Sequence, residues 1–112
     1  MSTLHREYQF EEWEKLSDAE RRHVMHGFWN PYDARFRCGS LTREAITAAF
    51  QEQIHGLPAD AGVNVGYFDK EGWCLTVVTK RSSKVRVPKN FGGLRVVKGA
   101  FRNDGSVDWV RM

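Results

Sequence analysis

Residues 62–80, GVNVGYFDKEGWCLTVVTK, decide the fold class. Before Pro58 the apolar residues recur every three or four positions, and from Gly62 they recur every second one. Val63, Val65 and Tyr67 alternate with Asn64, Gly66 and Phe68, which is the period of a strand. Asp69-Lys70-Glu71-Gly72 reads as a four-residue hairpin loop. The return strand, from Trp73 to Lys80, sets Trp73, Leu75 and Val77 on one face and Cys74, Thr76 and Val78 on the other.

Downstream, Arg81-Ser82-Ser83 turns the chain, and Val85 and Val87 alternate with Lys84 and Arg86 as a third strand. Residues 88–93, PKNFGG, are a longer connection. Leu94 to Phe101 is a fourth strand, residues 103–106 a hairpin turn, and Val107 with Trp109 a short last strand. No helical pattern separates these strands, so parallel pairs linked by helices are not expected. Val78, Val97 and Val110 make several strands apolar on both faces, which points to a small curled or barrel-like sheet.

Upstream the signals are helical. Phe10 and Trp13 lie three apart among glutamates, the pattern of a short amphipathic helix over residues 8–16. Ser17-Asp18-Ala19-Glu20 is a capping box, in which the serine hydroxyl and the Glu20 carboxylate satisfy each other's backbone N–H. That helix should run to about Phe28 and end before Pro31. Another is expected over residues 42–55, with Thr42 as N-cap and Ile46, Ala49, Phe50 and Ile54 as its apolar stripe. The reading is therefore α+β, two or three N-terminal helices followed by a five-stranded antiparallel meander. The 112 residues form a single domain, helical over about 1–57 and β over about 62–112.

Charge is the strongest functional signal. Residues 80–102 hold eight Lys or Arg and no acid, inside a chain whose net charge is only +3. Such a block suits an anionic partner, above all the phosphates of DNA or RNA. Lys84, Arg86, Lys89, Arg95 and Lys98 are the expected phosphate contacts. Because residues alternate along a strand, Arg95 and Lys98 should point to opposite faces. Arginines interleaved with aromatics at Tyr32, Arg35 and Phe36 suit base stacking with phosphate contact, and make second-line candidates. Against this stands the ordinary role of exposed cations in protecting edge strands, and of loop aromatics in pinning a loop to the core.

The leading expectation is a non-catalytic nucleic-acid-binding protein. The alternative is an adaptor or inhibitor that docks an acidic protein surface, with Phe91 or Trp109 as its anchor. A homo-oligomer, acidic helices against basic strands, is a variant of that. A third reading is a metal-independent nuclease using His23 or His26. No motif calls for a cofactor, and Cys38, Cys74 and the histidines lack metal-ligand spacing, so neither cofactor nor metal is expected. Glu11, Glu12 and Glu14 read as a solvated helix face rather than as paired catalytic carboxylates. No apolar run is long enough to span a bilayer. Residues 1–15 carry no export signal, so reduced thiols and a cytoplasmic setting are expected.

Overall fold

The structure, a computed structural model, describes residues 4–29, 38–80 and 85–110. Three helices come first: α1 (Phe10–Lys15), α2 (Asp18–Gly27) and α3 (Ser40–Gln53). Five strands follow: β1 (Gly62–Phe68), β2 (Gly72–Lys80), β3 (Asn90–Phe91), β4 (Leu94–Phe101) and β5 (Val107–Val110). The class is α+β, as the change of period implies.

The helices begin where the sequence supplies caps. At α2 the Glu20 N–H donates to Ser17 Oγ at 3.1 Å and the Ser17 N–H to Glu20 Oε1 at 2.9 Å, which is the complete capping box. The end of α1 is closed from outside: Arg21 Nε donates to the Trp13 carbonyl at 3.2 Å and Nη2 to the Glu14 carbonyl at 2.8 Å. The start of α3 differs from the sequence reading. Its N-cap is Gly39, and Thr42 lies buried inside the first turn. The cap comes from Glu7, whose carboxylate accepts from the Leu41 N–H at 3.4 Å, the Thr42 N–H at 3.3 Å and the Thr42 hydroxyl at 3.1 Å. Thr42 Oγ1 in turn accepts from the Tyr8 N–H at 2.7 Å. A carboxylate at the positive end of a helix is also favoured by the helix dipole.

The sheet corrects the expected meander. Its order is β1-β2-β4-β3, with β5 also paired to β4. β1 and β2 form the antiparallel hairpin, but β2 and β4 run parallel, with Cys74 opposite Arg95 and Val78 opposite Gly99. A parallel pair needs a crossover of about a dozen residues, and the chain from Arg81 to Gly93 is long enough to make one, with no helix among its described residues. The expected third strand at 84–87 is absent over its described residues: Val85, Arg86 and Val87 have no ladder partners and belong to the crossover. The third strand is instead β3, which meets β4 through Gly92 and Gly93 at φ +60° and +77°. Successive positive φ values are what a two-residue hairpin turn requires, and glycine meets that at little steric cost.

One core joins the helical and β parts. Val63, Leu75, Val77, Leu94 and Val96 pack beneath Phe10, Trp13, Val24, Trp29, Ile46 and Phe50. The Trp13 indole N–H donates to the Gly92 carbonyl at 2.7 Å, tying α1 to the β3–β4 turn. Val87 of the crossover packs on the same cluster. The alternate residues Cys74, Thr76, Val78 and Val97 are buried on the other face. The sheet curls around them, so that Phe68 at the end of β1 meets Trp109 of β5 with ring centroids 5.3 Å apart. Among the described residues no helix is long and apolar enough to cross a membrane.

Candidate functional site

The basic block lies mainly on the crossover and on β4. Arg86 and Lys89 are exposed, and neither has an acidic partner among the described residues. Arg95 is exposed on the face away from the helices, opposite Cys74 and Asn90. Lys98 points the other way: it is half-buried, and its Nζ donates to the Val85 carbonyl at 2.8 Å, which fastens the crossover to the sheet. The alternation along β4 therefore separates Arg95 from Lys98, as strand geometry demands. Two further cations of the block have partners. Lys80 meets Asp60 at 3.2 Å and Arg102 meets Asp108 at 3.2 Å. Both pairs are exposed, and such pairs contribute only about 0–1 kcal/mol, so either cation can exchange its carboxylate for a phosphate. Lys84, Tyr32, Arg35 and Phe36 lie outside the described residues.

One cation escaped the sequence reading. Arg22 of α2 lines a surface groove of about 420 Å³ with Asp18, Met25, Asn90 and Gly93. Lys89 immediately precedes Asn90, so a helix and the end of the crossover each bring a cation to this region. Nothing in the chain between them signals the approach, because it depends on how α2 packs against the β3–β4 turn. Asp18 is already engaged by Arg21 Nη1 at 3.1 Å.

The second region is the curled face. Phe68, Asp69, Lys70, Glu71, Val97 and Trp109 line a cleft of about 200 Å³ beside the β1–β2 turn. Phe101 and Trp109 are 42% and 39% exposed on this face, whereas Tyr67, Phe68, Trp73 and Phe91 are partly buried. Of the two expected protein anchors, Phe91 is packed between Phe10 and Phe50, at 5.4 and 5.1 Å, and so only Trp109 is open to a partner.

The groups considered for catalysis have other surroundings. His23 stacks on His5 with ring centroids 4.7 Å apart, and His26 is exposed on α2. Among the described residues no three His, Cys, Asp or Glu side chains gather closely enough to hold a metal ion. Cys74 is fully buried. Burial pushes its thiol above the ordinary value, the nearby Glu71 carboxylate pushes it further up, and Arg95 opposes both. The folded chain thus holds the thiol proton more tightly than the unfolded chain. The stability this contributes is complete below the unfolded value of 9.0 and is lost as pH rises through the raised folded value. At pH 8 a thiol reagent should therefore label half-exposed Cys38 promptly, and Cys74 only after denaturant is added. Prompt labelling of both thiols in the folded protein would contradict the closed packing of the curled face.

Comparison with protein-family models, with curated proteins and with solved structures finds no match, so the function is argued from the residues themselves.

Proposed function

We propose that the protein binds nucleic acid without acting on it chemically, through the crossover and its flank. The observation that carries this reading is that Arg86 and Lys89 stand exposed, without an acidic partner among the described residues. A cation in that state can take a phosphate and release that phosphate's counterions, with no internal ion pair to break. Arg22 extends the surface onto α2, Arg95 is a further contact, and Lys84 remains a proposed one. Tyr32, Arg35 and Phe36 remain proposed base contacts. An acidic protein surface is the second reading. Trp109 favours it, as an exposed aromatic that could anchor such a partner.

Fluorescence anisotropy with labelled single-stranded and duplex oligonucleotides, at two or more salt concentrations, tests the proposal. The expected result is an affinity that falls steeply with salt. The double variant Arg86→Glu/Lys89→Glu should weaken binding about tenfold and lower the log–log salt slope by about two, one for each lost phosphate contact. Absence of binding to DNA and RNA at low salt would sink the proposal and leave the acidic-protein reading.

A further inference from the structure

The cleft beside the β1–β2 turn has a chemistry unlike that of the basic crossover. Phe68 and Trp109 meet edge to face, with centroids 5.3 Å apart and ring planes at 88°, and so form a right-angled aromatic corner. Val97 supplies an apolar wall, and Asp69 and Glu71 also line the cleft. Both carboxylates are exposed, and neither has an ion-pair partner among the described residues. Lys70 also lines the cleft, and a lysine stem can cover apolar surface while its ammonium stays in water.

These groups select among ligands. A phosphate meets two carboxylates and is repelled. A neutral alkyl group gains the aromatic contacts but no attraction from the two carboxylates beside the cleft. A compact primary ammonium is strongly hydrated and loses that hydration on entry. A methylated ammonium carries a diffuse charge on an apolar surface, which suits ring faces and carboxylates together. At about 200 Å³ the cleft is below the usual range for a drug-sized ligand, and so suits one such headgroup rather than a larger molecule.

We propose that the Phe68–Trp109 corner, with Asp69 and Glu71, binds a quaternary ammonium group. The site goes beyond the nucleic-acid reading and does not depend on it, since the residues and the sign of the charge differ. The indole N–H resonance of Trp109, assigned by its loss in Trp109→Phe, reports occupancy in the full chain. Titration with choline, at constant ionic strength, should shift it in a saturable manner. The uncharged carbon isostere 3,3-dimethylbutan-1-ol should bind at least fivefold more weakly, a ratio of about that size being what a cation–π contact supplies. Asp69→Asn/Glu71→Gln should lower the affinity for choline, and so reduce that preference, while the other indole resonances keep their native positions. Trimethyllysine amide and phosphocholine then distinguish a protein side chain from a free or lipid headgroup, and preference for either upholds the site. Equal affinity for choline and its isostere, or no saturable shift with choline, overturns it.

Discussion

Replacing Trp13 with alanine is expected to lower the folding stability by about 3–5 kcal/mol, the range for removing a large buried aromatic. Trp13 is fully buried, stacked on Trp29 at 5.3 Å and met edge-on by Tyr8 at 5.8 Å. Its indole N–H is also the hydrogen-bond partner of the Gly92 carbonyl. The substitution therefore opens a cavity and removes a donor from the turn that leads into β4. Domains of this size are stable by about 5–15 kcal/mol, so the variant should be marginal or unfolded at ambient temperature. Urea denaturation gives the measurement. Trp13→Phe separates the two contributions: it keeps most of the ring and removes the donor, at a cost of about 1–3 kcal/mol. A loss below about 1 kcal/mol for Trp13→Ala would mean that the indole does not anchor α1 to the sheet.

Gly39→Ala is expected to cost about 2–5 kcal/mol, from two causes acting at one atom. Gly39 sits at φ +81°, where an L side chain is strained by about 1–2 kcal/mol. A Cβ at that position would also lie 2.0 Å from Cδ1 and 2.1 Å from Nε1 of Trp29. That ring has little room to yield. It is stacked on Trp13, meets Trp73 edge-on at 5.2 Å, and lies with Trp73 beneath the Arg43 guanidinium, which is 5.3 and 5.1 Å from the two rings. Overpacking of such a site typically costs a further 1–3 kcal/mol or so. Gly56→Ala is the internal control: its φ is +86°, yet a Cβ there meets nothing within 4 Å. It should carry the dihedral strain alone, about 1–2 kcal/mol. Equal destabilisation by the two substitutions would show that the Trp29 ring can move aside.

Part of the fold is written in neighbouring residues. The Ser17–Glu20 box closes as its spacing implies, because both partners lie within one helical turn. The β1–β2 hairpin follows from alternation plus a turn ending in glycine. The opposite placement of Arg95 and Lys98 follows from the two-residue period of β4. The cap on α3 was not legible, since Glu7 is 34 residues from Leu41 and any of several acids could have served. The parallel pairing of β2 with β4 was hidden for a related reason. Strands buried on both faces carry the same apolar pattern in either direction, and an irregular crossover has no periodic signature.

The candidate sites divide in the same way. The density of cations in residues 80–102 is a property of the sequence, but their fates are not. Lys98 becomes a strut for the crossover, while Arg86 and Lys89 stay in solvent. Arg22 of α2 shares a groove with Asn90 and Gly93 only because that helix lies against the β3–β4 turn. The aromatic corner is still further from the sequence, because Phe68 and Trp109 belong to strands that never pair with each other.

By itself, then, the sequence determined the helices, most of the strands, their buried residues and the sign of the charge along the chain. These depend on contacts within a few residues, where propensity, capping and alternation act directly. The tertiary structure alone decided the direction of β4, the cap on α3, which cations remain free and the cleft between Phe68 and Trp109. Each of these depends on which of several compatible surfaces packs against another. That choice is settled by the burial of the whole core, with the loop closures it requires, and by no single segment.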